Sequence, residues 1–149
     1  MPKKFKFSLE NILKYRKNLQ DNKMLKLHNT KIELESEQQK LSEIKDLKNE
    51  TLNNGQINQT QKINLLNRKI FHEYVNQIND NISQQNQVIR NSKKRVIEAT
   101  DELNEETKRK KILEKIKEKH QDEFKIDMRR KEEKDNSEVA LRKSFYNNN

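Results

Sequence analysis

Helix breakers are almost absent from this chain: Pro2 is its one proline and Gly55 its one glycine in 149 residues. The abundant Lys, Glu, Gln and Leu between them all favour helix. Composition by itself would also suit disorder, since apolar residues make up 30%, charged residues 38%, and the net charge is +9. Disordered segments, however, are commonly rich in proline and glycine. Long helices are therefore the expectation. A chain this poor in apolar side chains cannot wrap one compact core.

The same text excludes most catalytic classes. A single glycine leaves no Gly-rich phosphate loop, dinucleotide fingerprint or nucleophile elbow. The absence of cysteine removes disulfides, thiolate metal sites and Cys nucleophiles. His28, His72 and His120 are far apart, and His72-Glu73 lacks the second zincin ligand because residue 76 is Asn. Carboxylates lie among Lys and Arg at helical spacing, as surface ion pairs do. Two paired helices offer no pocket that could shift a pKa. The expectation is a non-enzyme with no cofactor and no metal. No apolar run approaches the ~18 residues that span a bilayer. The basic start, Met1 to Phe7, lacks the apolar region of a signal peptide, so a cytoplasmic location is expected.

Asn53-Asn54-Gly55 is the only internal interruption, and such a cluster signals a turn or helix cap. The reading is an all-α fold, one coiled-coil hairpin over residues 1–149. Its first helix runs from about Ser8 to about Leu52, its turn covers about 53–59, and its second helix runs from about Thr60 to about Phe145. At 1.5 Å per residue these are roughly 65 and 130 Å long.

The second helix carries the clearer seam. Phe71, Val75, Ile78, Ile82, Gln85, Ile89, Ser92, Val96, Ala99 and Leu103 alternate at spacings of four and three. The frame continues as Glu106, Lys110, Leu113, Lys117, His120 and Phe124, where apolar residues thin out. On the first helix Leu13, Leu27, Leu34 and Leu41 share a frame that Gln20 completes. A neighbouring row holds Ile12, Leu19, Leu25 and Ile32, while Lys23, Thr30 and Glu37 read as interruptions. A fold about residue 56 puts Leu41 near Phe71 and Leu9 near Leu103. About half of the length difference would then be a tail that the first eight residues cannot cover, an unpaired helix with Ile112, Leu113, Ile116, Phe124, Ile126, Met128, Val139, Leu141 and Phe145 open to a partner.

Lys108, Arg109, Lys110, Lys111, Lys115, Lys117 and Lys119 crowd one stretch with only Glu114 and Glu118. No aromatic residues interleave there for base stacking, and no basic region leads into a zipper. An acidic protein surface is the expected partner and nucleic acid is not.

The opening Phe5-x-Phe7-x-Leu9-x-x-Ile12-Leu13-x-x-Arg16 resembles the start of FliJ proteins, the small coiled-coil components of the flagellar type III export apparatus. The resemblance recurs in Tyr74-Val75-x-x-Ile78-x-x-x-Ile82-x-x-Gln85. It returns in Glu132-Glu133-Lys134-x-x-x-Glu138-x-Ala140-x-x-Arg142. It implies an antiparallel two-helix stalk that promotes the ring of the export ATPase FliI and contacts the export gate protein FlhA. Export chaperones are further partners, and association with the inner face of the membrane is peripheral, through partners only. The gate stripe carries over onto Leu41, Ile44, Lys48, Tyr74, Ile78, Asn81 and Gln85. The terminal end, expected at the ATPase ring, carries Phe5, Phe7, Lys110, Lys111, Phe124, Met128 and Arg142. A generic cytoplasmic coiled-coil adaptor, including the equivalent stalk of a virulence-type secretion system, remains the alternative. A basic helical protein that binds nucleic acid is a more distant one.

Overall fold

The computed structural model describes residues 3–58 and 65–148. It consists of two helices, α1 over Glu10–Asn58 and the longer α2 over Leu65–Asn147, packed against each other in antiparallel fashion. Ser8 and Leu9 form the turn that leads into α1, where the Glu10 N–H donates to the Phe7 carbonyl at 3.1 Å. Helix α2 runs to Asn147, two residues past the expected end.

The turn expected at Asn53-Asn54-Gly55 is not there. Helix α1 continues through all three residues, and Gly55 has no positive φ. The remainder of that turn, residue 59, and the expected start of the second helix, 60–64, lie outside the described residues. Close packing accounts for glycine inside a helix. A Cβ on Gly55 would collide with the Phe71 ring, meeting Cε2 at 2.6 Å, so the missing side chain is what admits that ring. This contact outweighs a propensity cost of about 1 kcal/mol.

The chain divides into two compact units. In the unit Asn22–Asn104, Gly55 meets Phe71, the Gln85 amide donates to Glu37 at 2.6 Å, and Lys26 meets Glu102 at 2.9 Å. Partners on α2 fall in number as those on α1 rise, which is the antiparallel arrangement. The expected register is therefore wrong: Gln85 lies near Leu41, while Phe71 lies at Gly55. Every seam position expected on α2 from Phe71 to Leu103 is at least half-buried, with Ile78, Ile89, Ser92 and Ala99 buried. On α1, Leu27, Leu34 and Leu41 are half-buried as expected. The second row is Lys23, Thr30, Glu37 and Ile44, so the supposed interruptions are seam residues. Leu25 and Ile32, expected beside them, are exposed.

The unit formed by Met1–Asp21 with Glu105–Asn149 pairs the helices through polar groups. Glu10 meets Lys117 at 2.9 Å, Arg16 meets the nearly buried Glu106 at 3.5 Å, and Gln20 donates to Thr107 at 3.0 Å. Leu9, next to Glu10, thus lies level with residues near Lys117 and not where the expected register put it. Phe124 is not unpaired either: its ring lies 5.6 Å from that of Phe5. Pairing fades only after Met128, and from Arg129 to Asn148 every residue is exposed. The early end assigned to the pairing followed directly from the misplaced turn.

Candidate functional site

Two groups of residues were singled out, one in each unit. In the unit Asn22–Asn104 the contacts Glu37–Gln85 and Gly55–Phe71 bracket Leu41, Ile44 and Lys48 on α1 with Tyr74, Ile78 and Asn81 on α2. All seven gate candidates therefore occupy one stretch of the pair. They differ in what they present. Ile78 is 3% exposed and belongs to the core. Leu41, Ile44 and Lys48 are half-buried seam residues, and Gln85 spends its amide on the Glu37 carboxylate and the Glu37 carbonyl at 2.9 Å. Tyr74 and Asn81 are exposed. They sit one heptad apart, each preceding a seam residue, Val75 or Ile82, and Val88 continues their row.

The second group falls in the other unit. Phe7 is 7% exposed and meets His120 edge-on at 5.9 Å, while Phe5 packs on Phe124. Lys110 donates to Gln20 at 3.0 Å and lies 3.4 Å from Glu114. Met128 is half-buried, whereas Lys111 and Arg142 are exposed. Four of the seven, Phe5, Phe7, Lys110 and Phe124, thus hold the terminal pairing together. Arg142 shares a shallow groove with Leu141, Phe145 and Tyr146, whose apolar surfaces no other part of the described chain covers. Leu141 and Phe145 belong to the apolar tail residues expected from the sequence, whereas Tyr146 does not. Its spacing of four residues from Arg142 is the signal that would have found it.

Two carboxylates, Glu37 on the seam and Glu102 beside it, are tuned by their neighbours. Glu37 is held below the usual range by the Gln85 amide and then by Lys40. Glu102 is held below it by Lys26 and then Lys23, whose ammonium groups lie 2.9 and 3.0 Å away. Among the described residues no group of His, Asp and Glu converges as metal ligands, and no helix is long and apolar enough to cross a membrane.

The family model for the flagellar FliJ protein matches residues 5–149, nearly the whole chain. The chain belongs to the FliJ family. No curated protein and no solved structure matches it. Membership of the FliJ family makes the chain a component of the flagellar export apparatus, working in protein transport alongside other parts of that apparatus. FliJ proteins are non-catalytic components, and the match selects the flagellar reading over a generic coiled-coil adaptor.

Proposed function

We propose that the chain is a cytoplasmic stalk that engages the export ATPase FliI through the end of α2 and the gate protein FlhA through the row around Tyr74. The observation that supports the first half is the run from Arg129 to Asn148. All of it is exposed, and it carries Leu141, Phe145 and Tyr146 beside Arg142. Large apolar side chains on an unpaired helix end suit a protein partner. In this reading Lys111, Met128 and Arg142 meet the ATPase ring, while Phe5, Phe7, Lys110 and Phe124 hold the paired segment beneath them. Tyr74 and Asn81 make the gate contact, and Leu41, Ile44, Lys48, Ile78 and Gln85 shape the surface they stand on. Tyr is enriched among the residues that dominate interfaces. Export chaperones are additional ligands, and the stalk reaches the inner face of the membrane through its partners alone.

Deleting residues 129–149 tests the first half. The truncated chain should keep its paired helices by circular dichroism, keep gate binding, and lose stimulation of the ATPase. Tyr74→Ala tests the second: gate binding should weaken by more than about 1 kcal/mol with stimulation retained. Opposite results for the two proteins would exchange the roles of the two surfaces.

A further inference from the structure

The positive charge is unevenly spread. The unit of residues 1–21 and 105–149 holds 20 Lys and Arg against 13 Asp and Glu, so it carries +7 of the chain's +9. The same unit leaves large apolar side chains outside its seam. Ile12, Tyr15 and Ile112 are exposed, and Leu19 and Ile116 are only half-buried.

These five residues are not scattered. Ile12 and Leu19 each precede a seam residue of α1, Leu13 or Gln20, and Tyr15 lies between them at helical spacing. Ile116 precedes the seam residue Lys117, and Ile112 stands one turn before it. In an antiparallel pair, the residues that precede these rows on the two helices share one side of the seam. Lys26 and Glu102 illustrate it in the other unit: they precede Leu27 and Leu103, and they meet at 2.9 Å. The Glu10–Lys117 ion pair brings Ile116 level with Ile12. The register therefore assembles Ile12, Tyr15, Leu19, Ile112 and Ile116 into one apolar strip across both helices.

Cations border this strip. Lys108, Lys115 and Lys119 lie one turn before, one turn after and two turns after Ile112, on the outward edge of α2. Among the described residues, the lysine and arginine side chains of this unit in ion pairs are Arg16, Arg109, Lys110 and Lys117. We infer that this side of the unit docks an acidic amphipathic helix of another protein. Its apolar ridge lies along the strip and its carboxylates face Lys108, Lys115 and Lys119. A second copy of this chain suits the strip less well, because it would bring the same lysine edge against itself. The strip is separate from residues 129–148, so the inference does not depend on the assignment of the ATPase surface.

Two labelled helical peptides provide the probe, both with leucines at alternating spacings of three and four. One carries glutamate at its remaining positions and the other lysine. The full chain should bind the acidic peptide and not the basic one. The combined change Tyr15→Ser and Ile112→Ser should weaken that binding by about tenfold or more, without moving the thermal midpoint, because both side chains are exposed. Lys115→Gln with Lys119→Gln should weaken it and flatten its salt dependence. Amide-exchange protection on binding should fall on residues 12–19 and 108–119. Undiminished binding after the serine changes would overturn the proposal, since charge alone would then attract the peptide. Protection confined to 129–148 would overturn it as well. So would displacement of the peptide by duplex DNA that the serine changes leave unaffected, or a dimer of the chain that those changes abolish.

Discussion

The two compact units pair the same two helices by different chemistry. In the unit Asn22–Asn104, α2 contributes Ile78, Ile82, Ile89, Val96 and Ala99 to the seam; in the other it contributes Glu106, Lys110, Leu113 and Lys117. Aliphatic rows supply stability but discriminate weakly between registers, because a slip of one heptad replaces one aliphatic contact with another. Charged rows behave in the reverse way. Partly exposed ion pairs add little net energy, yet a slip would leave Glu106, 7% exposed, without Arg16. Within the aliphatic unit burial supplies most of the pairing energy, and within the terminal unit the Arg16–Glu106 pair ties the two helices to one register.

The largest effect should come from the aliphatic seam. Ile89→Ala should destabilise the chain by about 2–4 kcal/mol, the usual cost of truncating a buried aliphatic side chain. Ile97→Ala, eight residues on and exposed, should change it by less than about 0.5 kcal/mol. Urea unfolding of the two variants checks this, and equal losses would mean that the seam does not run where the structure puts it.

Next comes the polar seam. Arg16→Ala leaves Glu106 with Arg109 at 3.2 Å as its one remaining cation, and should cost about 1–3 kcal/mol. The signature is alignment rather than stability alone. Cysteines placed at Glu10 and Lys117 should crosslink efficiently in the parent, and less selectively once Arg16 is gone.

These two rows also mark what the sequence could and could not tell. The α2 seam was legible residue by residue from Phe71 to Leu103; beyond it the same frame runs on through Glu106, Lys110, Leu113 and Lys117, but polar residues there read as a fading seam. The α1 seam was half legible. Leucines marked one row, but Lys23, Thr30 and Glu37 looked like gaps, and Ile12, Leu25 and Ile32 looked like the stripe. A long charged side chain can sit on a seam when its end reaches a facing partner, as Lys23 reaches Glu102. Nothing in α1 alone reveals that partner. The register failed for one reason. Asn-Asn-Gly is a turn by local propensity, and only the Phe71 ring, distant in sequence, makes helical glycine the better choice there. Which members of the two candidate regions face outward was not legible, since that depends on the same register.

A smaller effect tests that glycine. Gly55→Ala gains helix propensity but drives a methyl into the Phe71 ring, and overpacking should win by about 1 kcal/mol. With Phe71→Ala already present the obstruction is gone, and the same change should stabilise by about 1 kcal/mol. A left-handed turn glycine would penalise alanine in both backgrounds, so the sign in the second background decides between helix and turn.

The smallest effect is the acid response of the two tuned carboxylates, and it separates neutral from charged partners. Glu37 and Glu102 both have folded pKa values below the ordinary 4.5. Their contribution is therefore present above 4.5 and is lost as pH falls through the lowered folded values. Salt should act on them differently. Lys26 and Lys23 hold Glu102 by charge at a half-exposed site, so screening in molar salt should return its midpoint towards 4.5. Glu37 is held first by the neutral amide of Gln85, which ionic strength does not screen, so its midpoint should stay low. Carbon-detected titration of the two carboxyl groups at low and high salt reads both directly. If Glu37 moved with salt as far as Glu102, Lys40 rather than Gln85 would be its main partner.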